Sequence, residues 1–341
     1  PMKHVVIDEY HDATPLMAAV TERWVRNAET EIVAGDPDQV VNGYAGADPG
    51  FFEDLGQRTD EEIPVVKLDR SWRCPDLHFE AAARVLSDER PAPALTTAGA
   101  GKLHRWPAGH FEADENGQWV FPGEAEEGSP AWLWDEFGDD MLYLTRTRKQ
   151  ANGVAAALDA AGIIYRSQNR VGGDWEKRLR LLSLLTMLES VEPPNESTPK
   201  MINGLTDRDE PNIDKYSLSV REAELLAKHS HGHYIDDRDD LDDYLNRLNP
   251  DTDTVPLTEW DSYVTPKWWL RYTNGEKSIS ELTGLSDRDE TAMQRAAERY
   301  DLPVDVGDVD TRVLTIHASN GVEADDVVVY DGATGRLTDG M

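Results

Sequence analysis

Apolar positions along the chain come in short runs whose period switches between that of a strand and that of a helix. Val5-Val6-Ile7 is a short buried run that ends in the polar pair Asp8-Glu9. Thr14 followed by Pro15 has the form of a helix N-cap with proline in the first turn, and Leu16, Val20 and Trp24 then share one helical face. Glu31-Ile32-Val33-Ala34 predicts the next strand, stopped by Gly35-Asp36-Pro37-Asp38. Strand, helix, strand in this order predicts an α/β domain with a mostly parallel sheet flanked by helices. Val65, Val66 and Leu68 predict a further strand, and Pro75 opens a helix carrying Leu77, Ala81, Val85 and Leu86.

The stretch 87–101, rich in Pro, Ala, Thr and Gly, has no periodicity and reads as a connection between domains. A second α/β unit follows. Met141–Thr145 predicts a strand, and Gln150–Ala161 a helix with Ala151, Val154, Ala155 and Leu158 inward and Gly162 as its C-cap. A leucine-rich helix is expected from Trp175 to Leu188. Residues 190–300 differ: polar runs such as Asp236–Asp240 alternate with a cluster of Trp260, Tyr263, Trp268, Trp269 and Tyr272, the pattern of a small, mainly helical insertion. Gly204–Glu210 and Gly284–Glu290 echo one another and suggest a duplicated helix cap. Arg312–Ile316 and Asp326–Tyr330 then resume the strand pattern around a turn at Ser319-Asn320-Gly321.

Composition changes the picture in one respect. Of 341 residues, 66 are Asp or Glu and 34 are Lys or Arg, a formal charge of −32 spread over the whole length. An acidic surface of this kind suits a salt-rich medium, where self-repulsion is screened, so a halophilic source is expected. The same charge argues against nucleic-acid binding by counterion release and leaves stacking and short hydrogen bonds to carry any such contact. A single cysteine, Cys74, excludes an intrachain disulfide, and a reducing, cytoplasmic location is expected. The sequence has no apolar run of membrane-spanning length, no membrane partner is expected, and the chain enters its first strand so abruptly after Pro1 that it reads as a fragment.

Adjacent carboxylates at the carboxyl end of a parallel strand suit metal-assisted phosphate chemistry: one holds Mg²⁺, the other polarises a water. By itself Asp8-Glu9, in a chain with 66 acids, reads more readily as a solvated strand end. The longer string Val5-Val6-Ile7-Asp8-Glu9-Tyr10-His11-Asp12 resembles the Walker B segment of the UvrD/PcrA/Rep-like superfamily 1 DNA helicases. Val33-Ala34-Gly35-Asp36-Pro37-Asp38-Gln39 resembles that family's next motif, and Gly46-Ala47-Asp48 continues the match. Leu68-Asp69-Arg70-Ser71-Trp72-Arg73 is similar to the segment in which an aromatic ring stacks on adenine and an arginine reaches the γ-phosphate. Leu314-Thr315-Ile316-His317-Ala318-Ser319-Asn320-Gly321-Val322-Glu323 is similar to the motif that couples DNA to nucleotide, and Leu144–Thr147 resembles the start of the second motor domain.

The resemblance implies two RecA-like P-loop NTPase domains with a mainly helical inserted accessory domain. Residues 1–90 would form part of the first motor domain, 91–175 and 301–341 the second, and 176–300 the insertion. It implies ATP and Mg²⁺ as cofactors, with Asp8 on the metal, Glu9 activating water, Gln39 and Arg73 at the γ-phosphate, Trp72 on adenine and Glu323 on the ribose. It implies single-stranded DNA and duplex junctions as partners, with Tyr44, Thr315 and His317 on the DNA and translocation 3′ to 5′, by a monomer.

Departures from the pattern matter too. His11 stands where a glutamine senses the nucleotide, and is expected to donate or accept a hydrogen bond but not both in one orientation as an amide does. Ala45 and Asn320 replace basic residues, in keeping with salt adaptation or with a degenerate, catalytically inactive DNA- or protein-binding module. No G-x-x-x-x-G-K-[ST] occurs, and Gly99–Leu103 is its nearest, incomplete relative. The arginine-bearing motif expected after Glu323 is absent as well. The phosphate-binding loop is therefore expected on a preceding helicase region, and this chain alone is not expected to hydrolyse ATP.

Overall fold

The structure is a computed structural model that describes residues 3–57, 63–68, 71–86, 101–104, 112–113, 119–121, 126–168, 171–191, 212–230, 232–273, 286–301 and 304–330. It divides into two compact units, Pro1–Pro107 and Ala108–Met341.

In the first unit, strand β1 (His4–Ile7) pairs in parallel with β2 (Thr30–Val33), Val6 opposite Ile32. Helix α1 (Pro15–Val25) makes the crossover, and the Thr14 hydroxyl accepts the Met17 amide at 3.3 Å as its N-cap. Short α2 (Gly50–Glu53) supplies Phe51 and Phe52, which pack with Ile7, Val33 and Leu55 around buried Tyr10, Ala13 and Ala18. A second helix, α3 (Asp76–Leu86), follows the turn at Ser71.

Two expectations fail here, the first being a buried strand at Val5-Val6-Ile7: of the three Val5 alone is buried, and Val6 is 71% exposed. Leu16, Val20 and Trp24 do share a face of α1, but that face is exposed, and small Ala18 is the residue that packs inward. Val65, Val66 and Leu68 are exposed and form no strand, because a strand exists only where a ladder partner accepts its backbone groups. Most of the connection expected at 87–101 lies outside the described residues.

In the second unit, short strands β3 (Glu112–Ala113) and β4 (Trp119–Val120) pair antiparallel ahead of helix α4 (Pro130–Phe137). Then come β5 (Met141–Thr145), α5 (Arg148–Ala160), β6 (Arg166–Ser167) and α6 (Trp175–Glu189). The inserted stretch holds β7 (Ser217–Ser219), α7 (Val220–His229), α8 (Arg238–Leu245), β8 (Thr254–Pro256), α9 (Leu257–Trp260), α10 (Pro266–Thr273) and α11 (Asp287–Arg299). The chain returns through β9 (Arg312–Thr315) and β10 (Asp326–Tyr330).

The four main strands form one parallel sheet in the order β10-β5-β9-β6. β9 and β10 therefore flank β5 and are not a hairpin around the 319–321 turn. Ala151, Val154, Ala155 and Leu158 of α5 are fully buried against this sheet, as their spacing predicts. The Thr147 hydroxyl accepts the Gln150 amide while the Gln150 side chain accepts the Thr147 amide, a capping box that fixes where α5 begins. Gly162 ends the helix at φ 69°, where a β-carbon would also lie 2.5 Å from the backbone of Arg295 on α11.

The insertion has its own core. Leu181, Leu184 and Leu188 of α6 pack with Trp260, Trp268, Trp269 and Met293, all buried. Two of the indoles keep polar partners there: Trp268 Nε1 donates to Ser230 Oγ at 3.0 Å and Trp269 Nε1 to Asp261 at 2.6 Å. Ser286, in the second copy of the sequence echo, is the N-cap of α11; the first copy lies outside the described residues. Helices α6 and α11 join the insertion to the sheet domain. Where they meet α5, Asp159 accepts from Arg178, Arg288 and Tyr165, while Arg178 also binds Asp289.

Candidate functional site

The candidate phosphate-chemistry site is built at the carboxyl end of β1, where the backbone leaves the sheet and its polar groups need new partners. Asp8 and Glu9 are both exposed there. Glu9 turns the chain by adopting φ 54°, ψ 35°, the left-handed region that for a non-glycine residue costs about 1–2 kcal/mol. It is the sole non-glycine residue with positive φ among those described. Its amide donates to the Asp8 carboxylate at 3.0 Å, and the next amide, Tyr10, donates to the Ala34 carbonyl at 3.0 Å. The second bond ties the turn after β1 to the turn after β2. Strain of this kind persists only where surrounding contacts hold it.

One of those contacts is His11. Its ring is buried, Nδ1 accepts the Asp36 amide at 2.9 Å, and Nε2 lies 3.3 Å from the Glu9 carboxylate. The expectation that a histidine could serve only one partner here is corrected: the two ring nitrogens lie on different edges and face different groups. A β-carbon on Gly35 would come within 3.2 Å of His11 Nδ1, so a glycine at this point lets the second turn approach the ring.

Asp36 in turn organises Pro37–Gln39, a single 3-10 turn. Its carboxylate accepts the Asp38 amide at 3.1 Å and the Gln39 side-chain amide at 2.8 Å. Gln39 is thus held beside Asp36, on the turn whose amide binds His11. Asn42 donates to Asp12 at 2.5 Å, placing the Gly43–Ala45 turn and its 78% exposed Tyr44. The turn before α3 is set by Ser71 Oγ, which accepts the amides of Arg73 at 3.3 Å and Cys74 at 3.0 Å. Trp72 there is 68% exposed, unusual for so large an apolar side chain.

The donors suit Mg²⁺. Among the described residues no group of three or more His, Cys, Asp or Glu converges as a metal cage. One or two carboxylates beside an open position are what a magnesium ion shared with phosphates requires, since it keeps its remaining ligands as water and phosphate oxygen. Asp8 and Glu9 supply that pair, and Glu9 is 52% exposed.

The second unit carries the other predicted residues. Thr315 ends β9 opposite Thr145 of β5. His317 follows on the Ile316–Ala318 turn and is exposed, and Gly321 at φ 76° turns the chain toward exposed Glu323. The Glu323 carbonyl accepts from Arg312 Nη2, which anchors the loop to its own strand. Thr315, His317 and Glu323 therefore lie on one strand-end loop of the second unit, and Asp8, Glu9, His11 and Gln39 on two joined turns of the first.

Residues 1–60, which contain both joined turns, match the UvrD/REP helicase N-terminal domain family. Over those residues the chain is similar to UvrD-like superfamily 1 helicases. It is similar to the ATP-dependent DNA helicase UvrD2 of Mycobacterium tuberculosis, 28% identical over 200 residues, which are 54% of this chain and 26% of that protein. UvrD2 of Mycobacterium bovis is similar to the same extent. The ATP-dependent DNA helicase srs2 of Schizosaccharomyces pombe is 25% identical over 174 residues, 48% of this chain and 19% of that helicase. The chain thus spans about a quarter of the length of UvrD2. Its parallel sheets flanked by helices are the RecA-like α/β architecture.

The resemblance drew attention to Asp8, Glu9 and Gln39 but not to what holds them. The left-handed Glu9, the His11 bridge and the cap role of Asp36 have no signature in the one-dimensional pattern. The sole signal was the histidine itself, in a position where the resemblance calls for glutamine.

Proposed function

We propose that this chain is part of an ATP-dependent DNA helicase that couples ATP hydrolysis to 3′ to 5′ translocation on single-stranded DNA and to unwinding at duplex junctions, in DNA repair or replication. Residues 1–90 belong to the first motor domain, 91–175 and 301–341 to the second, and 176–300 to the accessory domain. The observation that carries the reading is the pair of joined turns: a carboxylate pair ending one parallel strand, fastened to the Gly35–Gln39 turn that ends the next.

In this reading Asp8 holds the Mg²⁺ that screens the phosphates, and Glu9 orients and deprotonates the attacking water. Gln39 and Arg73 address the γ-phosphate, Arg73 through its planar donor fork. Trp72 stacks on the adenine and Glu323 binds the ribose. Tyr44 stacks on a DNA base, while Thr315 and His317 contact the DNA backbone. The phosphate cradle comes from a helicase segment carrying a G-x-x-x-x-G-K-[ST] loop. The even spread of acidic residues supports a salt-rich, cytoplasmic setting.

The test is ATP hydrolysis in molar KCl with Mg²⁺, with and without single-stranded DNA. The 341-residue chain alone should show no turnover. Joined to a phosphate-loop segment from a UvrD2 relative, it should show DNA-stimulated turnover that Glu9→Gln abolishes. Turnover by the chain alone, or turnover indifferent to Glu9→Gln, would sink this assignment of the chemistry.

A further inference from the structure

We infer that His11 is a positioning residue that holds the Glu9 carboxylate and the Asp36 turn in one fixed relation. The inference rests on the reading of Glu9 as the water-activating group.

The ring is buried, so its nitrogens must be satisfied by protein groups. At Nδ1 the partner is the Asp36 amide, 2.9 Å away, and a backbone N–H can only donate. Nδ1 must therefore be unprotonated, which leaves the single ring proton on Nε2. Nε2 lies 3.3 Å from Glu9 Oε2, and the negative charge of that carboxylate favours the proton on Nε2. One end of the ring is thus hydrogen-bonded and the other lies beside a carboxylate, and the Nε2–H tautomer alone suits both.

The position also explains how the turn at Glu9 is held. Glu9 is in the left-handed region, and its side chain would otherwise be free to rotate over an exposed surface. His11 reaches it from the buried side. Because the same ring receives the amide that starts the Gln39 turn, a shift of Asp36 is passed to Glu9 through a rigid, two-sided group. Glutamine at this position can make the same two contacts, its carbonyl accepting from the Asp36 amide and its NH₂ donating to Glu9. The geometry therefore assigns His11 to Glu9 and Asp36, and not to direct contact with a nucleotide.

The first experiment is long-range nitrogen–proton NMR of the histidine rings in the 341-residue chain. The expected result is the Nε2–H tautomer for His11, with its Nε2 signal displaced by Glu9→Gln and its Nδ1 signal nearly unchanged. An Nδ1–H tautomer, or an Nε2 signal indifferent to Glu9→Gln, overturns the inference. The second uses the turnover-competent assembly described above. His11→Ala should lower kcat on the order of 10- to 100-fold with little change in KM, the scale expected when a catalytic group is misplaced by about 1 Å. His11→Gln should recover most of that loss. Full kcat in His11→Ala while Glu9→Gln is inactive overturns the positioning role alone. Turnover indifferent to Glu9→Gln instead removes the catalytic reading beneath it, whatever the tautomer.

Discussion

Arg178 on α6 meets Asp159 on α5 in a doubly bonded pair, Nη1 to one carboxylate oxygen at 2.5 Å and Nη2 to the other at 3.1 Å. The Asp159 side chain is 0% exposed and that of Arg178 is 4% exposed. Burial opposes the charge on the guanidinium, but bonding to Asp159 and then to Asp289 outweighs it, and the pKa of Arg178 is raised. Tyr165 donates to the same carboxylate at 3.2 Å; burial pushes its phenol up, so it stays a donor. The pair sits where the insertion joins the sheet domain, with α11 contributing Arg288 and Asp289.

Removing one partner leaves the other charge buried and unpaired. Arg178→Ala should therefore destabilise the second unit by roughly 3–5 kcal/mol, measured by urea unfolding in constant KCl. Arg178→Lys should recover only part of this, because an ammonium cannot reproduce the planar fork. A loss below about 1 kcal/mol for Arg178→Ala would show that the pair contributes little.

Asp289 makes part of that network pH-dependent. Burial alone would raise its carboxyl pKa, but Ser286 and Arg178 together hold it below the ordinary aspartate value. The folded pKa is depressed, so the stabilisation is complete above the unfolded pKa, about 3.9, and is lost as pH falls through the folded value. The stability difference between wild type and Asp289→Asn should be constant from neutral pH down to about 5 and should shrink in stronger acid. Urea melts of the two proteins across this range check it.

Gly162 has two reasons to be glycine, its φ of 69° and the Arg295 backbone 2.5 Å from where a β-carbon would lie. Gly162→Ala should cost about 1–2 kcal/mol from the backbone conformation alone, and more from displacement of α11. Thermal unfolding of the variant, with tryptophan emission reporting the insertion core, separates the two parts.

Tyr44 offers a stacking surface, and the net charge of −32 disfavours binding through phosphates. Tyr44→Ala should weaken single-stranded DNA binding by about 1–3 kcal/mol. The loss should be nearly equal at low and high KCl, since stacking releases no counterions. Fluorescence anisotropy with a labelled oligonucleotide measures both. A loss that vanishes in high salt would assign the contact to charge instead.

Much of the second unit was legible in the sequence because its signals are local. Ala151, Val154, Ala155 and Leu158 follow a helical period, Thr147 and Gln150 form a capping box, and Gly162 marks the stop. The same locality placed Asp8-Glu9 at the end of β1 and Gly35–Gln39 at the end of β2. Period alone cannot say what covers a face: Leu16, Val20 and Trp24 form the stripe their spacing predicts, and that stripe is exposed. A strand at 65–68 failed for a related reason, since pairing is a property of two segments and not of one. Only tertiary structure could place β5 between β9 and β10, join Arg178 to Asp159, or bring the Asp36 amide to His11. Each of these depends on the direction of a hydrogen bond or the approach of a backbone, and neither leaves a periodic trace in the sequence.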